Sequence, residues 1–268
     1  GLHLIASGID SQLASYILDE RKFLEFHECN YKEIQVTQWL KEFEYQYFPK
    51  LFGFKVDAKR EIFLLFQQFI NPSETKILNS ENQPELWERQ DIARSIEAIH
   101  EFHSSQTAVE VLSLIQFQQP WKAGKFYGRL NALMLDAIQK DDVFNANDFE
   151  CLSGINLSEL EKECSLLNSS MCFIHNDFNP RNIMVLKNGE PVIYDWELCV
   201  FDFPHRDVME FLSFLDLTED DFLYYAQHHA LLKGESWETY SKVAIYSLKS
   251  LLITRFSLYY VAGGAESH

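Results

Sequence analysis

Two apolar runs joined by Asn188-Gly189, with Asp and Asn residues bunched at their outer ends, constrain this chain more than any other feature. The runs are Ile183-Met184-Val185-Leu186-Lys187 and Glu190-Pro191-Val192-Ile193-Tyr194. Asn-Gly between apolar segments is a strong hairpin signal, because both residues tolerate the positive φ of a tight turn. A two-residue turn centred on Asn188-Gly189 sets Asn182 opposite Asp195, so the hairpin gathers its two ends in one place. Pro191 cannot donate a ladder hydrogen bond, so an edge position or a slightly longer loop is expected there.

The hairpin is preceded by Ile174-His175-Asn176-Asp177-Phe178-Asn179-Pro180-Arg181-Asn182-Ile183 and followed by Asp195-Trp196-Glu197. An Asp, an Asn and a second Asp in this order suit phosphoryl transfer from a nucleoside triphosphate. That chemistry needs a carboxylate near the attacking hydroxyl and oxygen ligands for the magnesium ions on the triphosphate. The spacing His175-x-Asp177-x4-Asn182, with a later Asp, is that of the protein-kinase catalytic loop and its metal-binding Asp. Taken singly, each of these residues is an ordinary turn or capping residue; their order and the hairpin give them weight.

Composition narrows the classes further. The 268 residues are 47% hydrophobic and 15% aromatic, with 10 Gly and 7 Pro, which describes a compact globular protein with room for a sizeable core. A formal charge of −17 argues against nucleic acid as a partner, since phosphate backbones are held by basic patches. It leans towards a cationic small molecule, although a solvated acidic surface gives the same count. The five cysteines form no C-x-x-C and no paired framework, so reduced thiols in a cytoplasmic protein are expected. No secretory leader pattern heads the sequence. Val243 to Ala262 is apolar but interrupted by Lys249 and Arg255, which favours a buried amphipathic helix over a membrane span. Gly-x-Ser-x-Gly and Gly-x4-Gly-Lys-Ser/Thr are both absent, so serine-hydrolase and P-loop readings fall away.

Along the chain, residues 1–70 read as short strands with one helix. Leu13 to Leu18 and Lys22 to His27 are expected to be neighbouring strands, Lys32 to Phe43 a helix, and Leu51 to Val56 and Glu61 to Ile70 two further strands. Gln68 and Ile70 close the last of these; their backbone suits hydrogen bonding to adenine, and a plain strand end reads the same. From Asn71 onward the pattern is helical, over Pro84 to Ser104, Gly128 to Lys140, Leu157 to Leu167, Asp207 to Leu215, Glu219 to Leu232 and Trp237 to Tyr260. Only the Asn188-Gly189 hairpin interrupts it. His100 and His103 share a helical face and are expected in the core rather than on a metal. A small β-rich lobe (1–70) and a larger, mainly helical lobe (71–262) follow, and Gly263 to His268 reads as an artificial tail.

These residues resemble the aminoglycoside phosphotransferase and choline kinase superfamily, small-molecule kinases with a bilobal, protein-kinase-like α+β fold. The likeness rests on His175 to Ile183, on Tyr194-Asp195-Trp196-Glu197 and on Pro204-His205-Arg206-Asp207-Val208, and more loosely on Ala98 to His103. It implies a magnesium-dependent kinase that moves the γ-phosphoryl of ATP or GTP to a hydroxyl of a small molecule, aminoglycoside- or choline-like. Asp177 would be the catalytic base or hydroxyl-orienting carboxylate, and Asn182 and Asp195 the magnesium ligands. His175 would tie the catalytic loop to the segment near Asp195, and Asp207 would cap its helix and brace that loop. Ser7-Gly8 would form the phosphate-covering turn, and Glu33 would be the helix Glu that pairs with a strand Lys. That Lys is missing: the strand reads Arg21-Lys22-Phe23-Leu24-Glu25-Phe26-His27, with Glu25 in its place. A carboxylate there repels phosphates, so a non-catalytic, pseudokinase-like binding module is the alternative reading.

Overall fold

Strand and helix periodicities compete at the start of the chain. The computed structural model describes residues 11–20, 29–78, 83–106, 123–138 and 169–256, with a few positions between 150 and 166. Leu13 and Ile17 are both buried, and a spacing of four puts them on one face of either a strand or a helix. The chain forms helix α1 (Ser11–Asp19), which overturns the strand expected over Leu13 to Leu18. The strand expected over Lys22 to His27, with Glu25, lies outside the described residues, as do Ser7, Gly8 and the tail from Gly263. Most of Leu157 to Leu167 does too.

The chain divides into two compact units. One comprises residues 1–27, 121–169 and 241–268; the other comprises residues 28–120 and 170–240. In the first, α1 packs on α4 (Ala123–Ile138), and α4 on the π-helical turn Leu252–Phe256. That turn continues α7 (Trp237–Leu251). Leu13, Ile17, Leu130, Leu133, Met134 and Ile253 are among the buried apolar residues of this unit.

The second unit carries the hairpin and its neighbours. Helix α2 (Cys29–Glu42) is followed by the antiparallel pair β1 (Leu51–Asp57) and β2 (Ile62–Gln67). A three-stranded sheet has the order β3-β5-β6, from Thr75–Leu78, Ile183–Leu186 and Pro191–Ile193. Strand β4 (Cys172–Ile174) pairs with β7 (Val200–Asp202). The helices are α3 (Arg89–Ser104), α5 (His205–Ser213) and α6 (Glu219–Lys233), and α7 begins here. Strands β3, β4 and β7 were not expected, because three or four residues are too few to show alternation.

The hairpin itself differs in register from the two-residue turn. Ile183 faces Ile193, Met184 faces Val192 and Val185 faces Pro191. The loop therefore uses three residues, Lys187-Asn188-Gly189, with Gly189 at φ +83°. This is the three-residue hairpin geometry, in which glycine takes the left-handed position. A side chain at Gly189 would also run into the Arg94 guanidinium, which donates to the Asn188 carbonyl at 3.2 Å. Asn182 is thus opposite Tyr194, whose N–H donates to the Asn182 carbonyl at 3.0 Å, and Asp195 lies one residue further on. Pro191 sits on the edge strand β6, where its missing N–H costs no ladder bond.

An aromatic cluster underlies this region. Trp196 meets Phe102 (4.9 Å between ring centroids), His175 (4.5 Å) and Tyr45 (6.0 Å) in edge-on or tilted contacts, and Trp39 meets Phe102 at 5.5 Å. Two polar tips are satisfied, Tyr45 Oη by the Ala98 carbonyl at 2.9 Å and Trp196 Nε1 by the Ile193 carbonyl at 3.1 Å, while the buried Trp39 Nε1 has no partner among the described residues. Large aromatics with paired polar atoms give rigid burial.

A second polar cluster lies between α3, α5 and α6. The His229 ring is 5.8 Å from that of His100 and 6.0 Å from that of His205, and its Nδ1 is 2.8 Å from Tyr240 Oη. Burial lowers the proton affinity of His100, His103, His205 and His229; His100 titrates at about 4. Lys233 and the neighbouring histidines push the same way, while Glu235 on His205 and Asp207 on His103 oppose it. These groups bind fewer protons folded than unfolded below their ordinary value of 6.5. Stability is therefore expected to be full above about pH 6.5 and to fall as pH drops from there towards about 4. Urea midpoints across that window check this, and a flat profile contradicts it.

Candidate active site

The loop 175–182 is built around one buried carboxylate. Asp207, fully buried in the first turn of α5, accepts from the backbone N–H of His175 at 2.8 Å and of Asn176 at 2.7 Å. His103 Nε2 lies 2.9 Å from the same carboxylate. Burial alone would raise the Asp207 pKa; the His103 hydrogen bond, the two histidines and the loop amide outweigh it, and the group titrates below its ordinary value. Asp207 braces the loop as expected, but it does not cap α5. The N-cap position is Pro204, and no side chain caps there.

His175 links the loop to the hairpin's far strand. Its Nδ1 accepts from the Asp177 N–H at 3.3 Å, which leaves Nε2–H to donate to the Tyr194 carbonyl at 3.0 Å. Asn176 holds a left-handed conformation (φ +61°) and is fully buried. Its Nδ2 donates to the Leu198 carbonyl at 3.0 Å and its Oδ1 accepts from Arg206 Nε at 2.8 Å. Asn is among the few residues that enter this region at small cost. Strain of this kind persists where surrounding bonds over-determine it, and here Asp207, Leu198 and Arg206 do so.

Asp177 is half-buried, and amides hold both of its oxygens. Asn182 Nδ2 donates to Oδ2 at 2.7 Å and to the Asp177 carbonyl at 2.9 Å. Asn179 Nδ2 donates to Oδ1 at 3.0 Å. Both hydrogens of the Asn182 amide are used on Asp177, so its Oδ1 points away from that carboxylate. Asn179 was not picked out from the sequence. The Asn179-Pro180 pair, a turn-initiating dipeptide, was the available signal.

Asp195 follows the hairpin in a left-handed conformation (φ +65°) and opens the short turn Trp196–Leu198, against which α2 packs. Its half-buried carboxylate accepts no hydrogen bond among the described residues. Burial first, then Glu197 and Asp177, push its pKa up to about 6. Glu33 on α2 is in the same field: burial, then Asp195 and Glu197, push it up to about 7. Cys29 is raised by burial and then by Glu197. The structure thus brings Asp177, Asn182, Asp195 and Glu33 together. Gln68 and Ile70, in the extended stretch after β2, share no hydrogen bond with them; the Gln68 N–H donates to the Lys50 carbonyl at 2.8 Å.

Magnesium prefers hard oxygen ligands and is usually held by one or two carboxylates, completed by phosphate oxygens and water. The available donors fit that description: an amide oxygen on Asn182 and the Asp195 carboxylate, which accepts no hydrogen bond among the described residues. The mutual repulsion of Asp195, Glu33 and Glu197 is what an arriving cation would relieve. Among the described residues, no three or more His, Cys, Asp or Glu side chains are grouped to cage a metal by themselves. A site completed by phosphate oxygens does not need such a cage.

Comparison with known proteins bears on this arrangement. None of the curated protein sequences is similar enough to match. Solved structures are similar in fold. Choline kinase LicA from Streptococcus pneumoniae superposes with a TM-score of 0.56 at 18% identity, over 89% of this chain and 74% of that one. A choline/ethanolamine kinase family protein from Mesorhizobium loti gives 0.60 at 11% identity, over 89% and 72%. APH(2")-IIa, solved as a ternary complex with streptomycin and ATP, gives 0.52 at 18% identity, over 88% and 79%. The shared architecture is the α+β, protein-kinase-like fold. The sequence pattern of one family matches residues 10–246, and on that match the chain belongs to the phosphotransferase enzyme family (APH).

Proposed function

We propose that this protein is a magnesium-dependent small-molecule kinase that moves the γ-phosphoryl group of ATP or GTP to a hydroxyl of an aminoglycoside- or choline-like acceptor. The observation that carries the reading is the Asp177–Asn182 hydrogen-bonded pair, with the half-buried Asp195 carboxylate one residue beyond the hairpin. Asp177 orients the acceptor hydroxyl and takes its proton as the oxygen attacks phosphorus. Asn182 and Asp195 hold the cation that neutralises the triphosphate. Positioning and fixed charge supply most of the rate in such a reaction. On this reading residues 1–70 form the nucleotide lobe, with Ser7, Gly8, Glu33, Gln68 and Ile70 near the nucleotide, and residues 71–262 the catalytic and acceptor-binding lobe.

The formal charge of −17 supports a cationic acceptor and no nucleic-acid partner. No helix among the described residues is long and apolar enough to cross a membrane. Cys29, Cys172 and Cys199 are free thiols, which supports a reducing, cytoplasmic setting. The sequence register that puts Glu25 where the family carries a strand Lys favours a second reading, a binding module without transfer. Release of ADP or GDP, measured against a panel of aminoglycosides, choline, ethanolamine and neutral sugars, separates the two. Acceptor-dependent release that needs magnesium is expected; magnesium-dependent nucleotide binding with no release for any acceptor would favour the module.

A further inference from the structure

Asn179 belongs to none of the roles above, yet it is one of the most enclosed residues of the loop, 1% exposed. It is the N-cap of the turn Pro180–Asn182: its Oδ1 accepts from the Arg181 N–H at 3.1 Å and from Arg181 Nε at 3.4 Å. Both of those groups can only donate, so the atom facing them is the oxygen. The amide nitrogen is then forced to the other side, where it meets Asp177 Oδ1 at 3.0 Å and the Asp177 carbonyl at 3.2 Å. Arg181 thus orients the Asn179 amide, and the amide orients the carboxylate.

The clamp is two-sided. Asn182 holds the other carboxylate oxygen at 2.7 Å, but Asn182 is also the residue read above as a metal ligand. A hold that depends on Asn182 alone would shift whenever cation binding at its Oδ1 moved the amide. Asn179 has no such second duty, being buried and fixed by its own cap. A carboxylate can accept about four hydrogen bonds, so two amides leave capacity for an acceptor hydroxyl.

Resting on the kinase reading, we propose that Asn179 is a positioning residue that keeps the Asp177 carboxylate in its working rotamer independently of the metal. Asn179→Asp is the informative variant. It keeps the oxygen that caps the Arg181 N–H, so the turn still forms, and replaces the donor to Asp177 with a second acceptor. Misplacement of a reacting group by about an ångström costs up to about a hundredfold in rate. Asn179→Asp and Asn179→Ala are therefore expected to lower kcat for nucleotide turnover roughly ten- to hundredfold, with KM for the magnesium nucleotide within about twofold. A purely structural role would instead move KM and kcat together with the melting temperature. Wild-type kcat in Asn179→Asp overturns the proposal.

A second measurement needs no nucleotide. Scalar couplings across χ1 of Asp177 in the free protein should report one rotamer in the wild type and averaging in Asn179→Ala. A single unchanged rotamer in that variant overturns the clamp, whatever the enzymology shows. A wild-type protein with one rotamer, lost in the variant, but with no turnover would leave the clamp standing and count against the kinase reading.

Discussion

Asp177→Asn is expected to lower phosphoryl transfer by about 10²–10⁴-fold while KM for the magnesium nucleotide stays within about twofold. The expectation follows from what the substitution leaves in place. The backbone bonds at this position, its N–H to His175 Nδ1 and its carbonyl to the Asn179 N–H and the Asn182 amide, survive the substitution. What changes is one carboxylate oxygen, turned into an amide that can no longer take a proton from the acceptor. The new amide also sets donor against donor at either Asn179 or Asn182, so a modest loss of stability is expected as well. Steady-state kinetics with magnesium nucleotide check the split. A kcat unchanged in Asp177→Asn would remove this residue from the reaction.

Asp207→Ala should have the largest effect on stability, a loss of about 3–5 kcal/mol, the usual result of removing one partner from a buried charged network. Three donors converge on this carboxylate: the N–H groups of His175 and Asn176, and the His103 ring. All three residues are buried, so water cannot replace the lost oxygens. Leaving each donor unsatisfied costs about 1–3 kcal/mol, partly relieved by rearrangement. Asp207 titrates below its ordinary value, so its contribution is present above the unfolded carboxylate pKa and is lost as pH falls through the folded one. Urea denaturation at neutral pH measures the change. A loss under about 1 kcal/mol would mean that the loop is held by something other than this brace.

The two effects concern one loop seen from opposite sides. Asp207 fixes its entrance at His175-Asn176, and the Asn179 and Asn182 amides fix its functional carboxylate. Between them the loop backbone takes a left-handed turn at Asn176, and the chain does so again at Asp195. Both conformations are unfavourable in an isolated peptide. At Asn176 the conformation persists because the residue is bonded to Asp207 and Arg206 of α5 and to the Leu198 carbonyl of the turn after the hairpin.

Much of this was legible in the sequence because it is encoded locally. The spacing from His175 through Asn182 to Asp195 predicted which residues would gather, and the hairpin that gathers them formed. Its register was off by one because Asn188-Gly189 signals a two-residue turn, whereas the chain adds Lys187 and uses Gly189 alone at positive φ. Local patterns failed where two periods coincide, as at Leu13 and Ile17 in α1, and where strands are too short to have a period, as in β3, β4 and β7. Asp207 read as a helix cap because a carboxylate in the first turn of a helix usually serves that end. Its true partner His103 is 104 residues away in sequence, a pairing that no local signal announces. Asn179 was passed over for the opposite reason: a buried amide that aims a neighbour's carboxylate looks, in sequence, like an ordinary turn residue before proline.

On the kinase reading, Asn182 and Asp195 hold a cation on which nucleotide binding depends. Calorimetric titration of ATP and GTP into the wild type and Asp195→Ala, each with and without magnesium, tests it most directly. Binding of at least one nucleotide is expected to require magnesium in the wild type, and to be at least about tenfold weaker in Asp195→Ala. Magnesium-dependent binding that is unchanged in Asp195→Ala, or no binding of either nucleotide under any condition, would contradict it.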